Sequence, residues 1–205
     1  MARLDTAIRG FDTAREQALA PTAAIVTAAT ALDAADAACA IGVRAEALEA
    51  RVPARAALPK ARTALAVLPL RLKAYGTALL ELEAAATAAT SLDEGQRAAV
   101  RAVVTGGQAE AAAADAFRVA GKTALPAYDA LDRTQSTWLD RSLAGWYRNS
   151  TEAANAYDVL IGDQRGALQQ ARTLLRRVDA ARRPISERER AALATADAAL
   201  ASLRE

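Results

Sequence analysis

The chain reads as an all-α protein, an elongated antiparallel bundle of four to six long helices rich in alanine and leucine. Three observations lead there. Apolar residues recur in alternating three- and four-residue steps along nearly the whole length; one run is Leu58, Ala61, Leu65, Leu68, Leu72, Tyr75, Leu79, Leu82, Ala86, Ala89. That period places them on one face of helices packed side by side. About 59 of the 205 residues are alanine, the best helix former because it loses no side-chain entropy and buries no polar group. Aromatic residues, which favour strands, make up only 4 %. An alanine seam buries little area per residue, so it compensates by close approach, toward the ~8 Å end of the interaxial range, and by length.

The first helix is expected over residues 3–51. Its stripe is Leu4, Ile8, Phe11, Arg15, Ala18, Thr22, Ile25, Ala29, Leu32, Asp36, Cys39, Val43. Pro21 should kink or split it, since proline lacks a donor and clashes with the preceding turn. Arg15 and Asp36 interrupt the stripe, so they lie at its edges or meet partners across it. Val52-Pro53 reads as a turn and residues 54–90 as the second helix, with Pro59 in its first turn and a kink at Pro69. Ser91 and Glu94 match a capping box, in which a hydroxyl caps the helix and an acid three residues on reaches back. The third helix should cover 93–119, weakened by Gly106-Gly107. Gly121 and Pro126 read as a stop and a start, giving a fourth helix over 126–182, about 85 Å at 1.5 Å per residue.

That fourth helix carries the stripe Leu139, Leu143, Trp146, Ser150, Ala153, Tyr157, Leu160, Gln164, Ala167, Ala171, Leu174, Val178, Ala181. Gly145, Gly162 and Gly166 are its soft points, with a break near 162–166. Arg183-Pro184 reads as a turn, followed by a second capping box (Ser186, Glu189) and a short helix over 185–204 bearing Ile185, Leu193, Ala196, Leu200 and Leu203. No linker or shift in composition divides the chain, so residues 1–205 read as a single helical-bundle domain. At fold level this layout resembles periplasmic sensor domains, envelope lipoproteins and scaffold rods, a resemblance that transfers no function.

The net charge is +2, with acids and bases interspersed, which is the balance of a soluble protein rather than a nucleic-acid binder. All but three of the 26 basic residues are arginine; beside so much alanine, this reads as the codon usage of a GC-rich bacterial genome. Cys39 is the single cysteine, so an internal disulfide is excluded, and it reads as a small buried hydrophobe. The first ten residues are charged and amphipathic, unlike a secretory leader. The longest uncharged window, about 16 residues over 17–32, is too short and too weakly apolar to span a bilayer. The expectation is a soluble protein, cytoplasmic or the mature part of an exported one.

The chain has no histidine. That removes the commonest general base and transition-metal ligand, the Glu-x-x-His pairs of bundle metalloproteins, and nucleophiles that need an imidazole base. No acids pair at helical spacing on an apolar face; Glu46 with Glu49 and Glu81 with Glu83 read as solvated. Gly121-Lys122-Thr123 has the ending of a phosphate-binding loop, but Ala116 stands where the pattern needs glycine. Asn149-Ser150-Thr151 has the form of a glycosylation sequon, read as chance. The expectation is a protein without catalytic residues, cofactor or metal.

Two clusters remain. Trp138, Arg141, Trp146, Tyr147 and Arg148 form the densest aromatic stretch, and their residue types dominate binding hot spots. Trp146 falls on the stripe and is expected in the core; Trp138 and Tyr147 are expected to present an exposed patch to a protein partner or a second copy. Arg172, Arg176 and Arg183 recur near one helical face and are candidates for binding an anionic membrane or nucleic acid. The resulting expectation is a non-catalytic interaction or scaffold protein. The alternatives are a rod that binds anions through its arginine end and a bundle with a small-ligand cavity between helices.

Overall fold

The computed structural model describes the backbone of residues 2–201 and the side chains of residues 3–183 and of Glu187. It is all-helical: helix accounts for 93 % of it, and there are no strands among the described residues. Four helices are long: α1 (Ala2–Ile41), α2 (Arg44–Ala88), α3 (Glu94–Leu143) and α5 (Arg165–Ala201). A short α4 (Ser150–Ile161) is joined to α5 by a 3₁₀ turn at Gly162–Gln164.

Contacts group the chain into two compact units. The first comprises Met1–Ala20, Val67–Arg118 and Arg177–Glu205; the second comprises Pro21–Ala66 and Val119–Arg176. In the first unit Leu4, Ile8, Phe11, Tyr75, Leu79, Leu82, Val100 and Val103 form the core, with the Phe11 and Tyr75 rings 5.8 Å apart. In the second, Ile25, Leu32, Cys39, Leu58, Ala64, Tyr128, Leu131, Trp138 and Tyr157 are buried, and Trp138 meets Tyr157 edge-on at 5.7 Å.

The stripe expected on α1 is the buried face almost residue for residue, from Leu4 through Phe11, Thr22 and Leu32 to Cys39. By length and composition α1 is also long and apolar enough to cross a membrane, beyond what the 17–32 window suggested. Of its most apolar stretch 28 % is buried, the residues of the stripe.

Helix boundaries differ from expectation wherever proline was taken as punctuation. There is no turn at Val52-Pro53: α2 runs through Pro53, Pro59 and Pro69 without interruption. Likewise α3 runs through Gly121 and Pro126, where two helices were expected, and α5 continues through 183–186. Pro53, Pro59, Pro69 and Pro126 all lie on exposed faces. There the carbonyl each one leaves unpaired is open to water, and buried neighbours such as Ala54, Leu58, Leu68 and Ala124 hold the helix in place. Two glycines of α3, Gly107 and Gly121, serve packing. A Cβ at Gly107 would lie 2.6 Å from Leu79 and 2.9 Å from the Tyr75 hydroxyl; one at Gly121 would lie 3.0 Å from Leu65.

The real stops are chemically specific. Gly42 has φ +79°, and a Cβ there would sit 2.0 Å from the Ser150 carbonyl oxygen, so only glycine lets the α1–α2 turn touch α4. Gly145 (φ +76°) ends α3 in a Schellman motif: its N–H bonds Ser142 O and the Trp146 N–H bonds Arg141 O. Asn149 then caps α4, its side chain accepting from the Glu152 N–H at 2.9 Å, which gives the sequon-like triplet a structural role. The α3 capping box is formed by Asp93 and Gln96, each accepting from the other's backbone N–H (2.8 and 2.9 Å), two residues beyond the expected Ser91–Glu94 pair. Of the expected last-helix stripe, Ile185, Leu193, Ala196, Leu200 and Leu203 lie outside the described side chains.

Candidate functional site

The core face of α3 continues in unbroken three- and four-residue steps: Val100, Val103, Gly107, Glu110, Ala114, Phe117, Gly121, Ala124, Tyr128, Leu131, Gln135, Trp138, Ser142. Its phase reverses the two tryptophans. Trp138, expected at the surface, is fully buried and donates from Nε1 to Ala153 O at 2.8 Å. Trp146, expected in the core, is 64 % exposed, because the helix has already ended when the chain reaches it.

The expected aromatic patch therefore reduces to the loop after α3. The Arg141 guanidinium lies 5.2 Å from the Trp146 ring centroid, a cation–π contact. Tyr147 is half-buried and Arg148 exposed. Arg44 donates to Ser142 O (3.4 Å), and Gly42 abuts Ser150 and Ala154. The α1–α2 and α3–α4 turns thus share one end of the second unit, where Ile41, Leu143 and Trp146 are all exposed.

The second unit also holds a cleft of about 330 Å³ between α1 and the α4–α5 segment. Its inner side is built around Asp36, one of the two charges that interrupted the α1 stripe. Tyr157 donates its phenol to Asp36 at 2.7 Å. Arg172 donates from Nε to Asp33 (2.8 Å) and from Nη2 to Asp36 (2.7 Å). Burial, reinforced by the bond to Asp36, pushes the Tyr157 hydroxyl far above the ordinary tyrosine range, so it stays a proton donor. Burial pulls the Arg172 guanidinium down, but its bonds to Asp36 and Asp33 outweigh this and raise it. Cys39, nearby, is driven up to about 12 chiefly by burial and is an inert thiol.

Of the arginines expected to bind anions, Arg172 is thus held by two carboxylates of its own unit. Arg176 is exposed, and Arg183, in the other unit, pairs with Asp179.

Two further polar groups escaped the sequence reading. In the first unit Glu110 is buried and accepts from Arg15 Nε (2.6 Å), Arg15 Nη2 (2.9 Å) and the Tyr75 hydroxyl (3.0 Å). A carboxylate that accepts three hydrogen bonds is held in place, as a strut between α1, α2 and α3. Arg15, the other charge on the α1 stripe, is raised: burial opposes the charge, and the bond to Glu110 overcomes it. In the second unit buried Arg51 donates from Nη2 to Asp132 Oδ1 (2.8 Å) and Ser136 Oγ (2.6 Å), and Gln135 donates to Leu32 O (3.3 Å). Arg51 Nε and Gln135 Oε1 are buried without a hydrogen bond. Glu110 sits on the α3 stripe; reading it through Gly121 and Pro126 would have exposed it. Comparison with known proteins gave no matching family model, no matching curated protein and no matching solved structure.

Proposed function

We propose that each unit is an antiparallel helical bundle and that the chain is a non-catalytic interaction protein, binding a protein partner or a second copy through the Trp146 end of its second unit. The pairing of residues supports the bundle. In the second unit Arg51 meets Asp132 and Arg62 meets Asp129, so α2 and α3 are numbered in opposite senses. Asp36 with Tyr157 and Asp33 with Arg172 give α1 and the α4–α5 segment the same relation. In the first unit Tyr75 with Glu110 and Leu79 beside Gly107 repeat it for α2 and α3.

Trp146 carries the interaction reading. A tryptophan 64 % exposed, braced by an arginine and flanked by exposed Ile41 and Leu143, leaves apolar surface in water that a partner would cover. Two of the three candidate anion-binding arginines already face acids, which weighs against the membrane or nucleic-acid reading.

The test compares the wild-type chain with Trp146→Ser, using Ala144→Ser as a control. Sedimentation across a wide concentration range measures self-association, and cross-linking in cells of origin followed by mass identification finds a partner. Loss of an association in Trp146→Ser alone supports the reading. Identical behaviour of all three chains in both measurements removes it.

A further inference from the structure

We propose that the cleft between α1 and the α4–α5 segment is a binding site for a small zwitterion: a carboxylate and an ammonium on a compact apolar body, the chemistry of a free apolar α-amino acid. The charges at its mouth balance, Asp158 against Arg165, while Asp36 and Arg172 on the inner side are already bonded to each other. A ligand of net charge would leave one wall group unmatched, whereas a zwitterion matches both signs.

The two sides of the cleft differ in rigidity. On the inner side Tyr157, Asp36, Asp33 and Arg172 hold one another in a hydrogen-bonded network, so the floor is preorganised. At the mouth Arg165 pairs with Asp158, but the two side chains are 55 % and 67 % exposed. An exposed pair contributes little, so its members are free to exchange partners. The ligand carboxylate then takes Arg165, with Gln169 beside it, and the ligand ammonium takes Asp158. Buried Ile161 and Leu168 provide apolar wall for the body of the ligand.

Arg165 and Asp158 also lie on opposite sides of the Gly162–Gln164 3₁₀ turn, the one interruption between α4 and α5. A turn of this kind inside a helical run often marks a functional hinge. The volume of about 330 Å³ is at the low end of ligand pockets (roughly 300–1,000 Å³), a size for an amino acid rather than a nucleotide.

The experiment titrates the full chain with L-leucine and L-phenylalanine by calorimetry and by backbone amide NMR. The two half-charged relatives of phenylalanine, 3-phenylpropionate and phenethylamine, serve as comparators. Saturable binding of an amino acid is expected, with shifts at 157–172. Each comparator should bind at least about tenfold more weakly, the loss expected for one missing charge-assisted hydrogen bond. Arg165→Gln and Asp158→Asn should each weaken amino-acid binding by a similar factor while leaving the helical circular dichroism and melting temperature unchanged. The proposal is overturned by no saturable binding at millimolar amino acid, by comparators that bind as well as the zwitterion, or by variants that bind as wild type.

Discussion

Glu110 offers the sharpest test of how the first unit holds together. It is 3 % exposed and accepts from Arg15 and from the Tyr75 hydroxyl. Glu110→Ala removes the acceptor and strands a guanidinium and a phenol. Breaking a fully buried ion pair costs about 3–5 kcal/mol. Arg15 is 23 % exposed, so its long stem lets the head reach toward water, and the expected loss falls to about 2–4 kcal/mol. Arg15→Met strands the carboxylate and should cost a similar amount. The double variant Arg15→Met with Glu110→Met buries no charge and should recover most of the loss, giving a coupling of about 2 kcal/mol or more. Urea unfolding is the assay, because guanidinium salt would screen the pair under study. A loss below about 1 kcal/mol for Glu110→Ala, or single losses that simply add, would refute the reasoning.

Two further outcomes follow from the second unit. Gly42 and Gly145 have nearly the same positive φ, but a Cβ at Gly42 would meet the Ser150 backbone at 2.0 Å while one at Gly145 meets nothing within 4 Å. Gly145→Ala should cost about 1–2 kcal/mol, the left-handed penalty alone, and Gly42→Ala clearly more because backbone must move; equal shifts in the urea midpoint would contradict this. In alkali, burial raises Cys39 from 9.0 to about 12 and Tyr128 from 10.0 to about 12, and Tyr157 is raised as well. These groups hold their protons more tightly folded than unfolded, so their stabilisation is complete below pH 9 and is lost as pH rises toward 12. Stability should fall by about 1.4 kcal/mol per pH unit for each group ionised only in the unfolded chain. The fall begins with Cys39 and steepens above pH 10 as the tyrosines join. Cys39→Ala should flatten the first part of the curve, and a stability profile level up to about pH 11 would rule the mechanism out.

How much could be read in advance depended on whether the signal was local. The α1 stripe was legible from Leu4 to Cys39, including the two charges Arg15 and Asp36, because its period was read through Pro21, which does not split the helix; the stop at Gly42, short of the expected residue 51, was not. On α3, Gly121 and Pro126 resembled a stop. Cutting the stripe there left Glu110 unseen, and beyond Gln135 two successive four-residue steps carried the stripe onto Leu139, Leu143 and Trp146, so that Trp138 exchanged places with Trp146. Proline ends a helix only when its freed carbonyl has nowhere to go, and which face of a helix meets water is settled by tertiary packing. The break near 162–166 was visible because two glycines mark it. The cleft was not, because Asp36 finds Tyr157 and Arg172 at separations of 121 and 136 residues.

The Arg15–Glu110 strut has a consequence beyond its energy. Surfaces paved with methyl groups are almost self-similar: slide one rod past another by seven residues and each knob drops into an equivalent hole. Such a lattice of small residues offers many nearly degenerate alignments. A lone acid that finds its base at only one offset lifts that degeneracy, since every shifted arrangement would strand an ion among hydrocarbon. The strut's larger contribution is then to make one alignment unique.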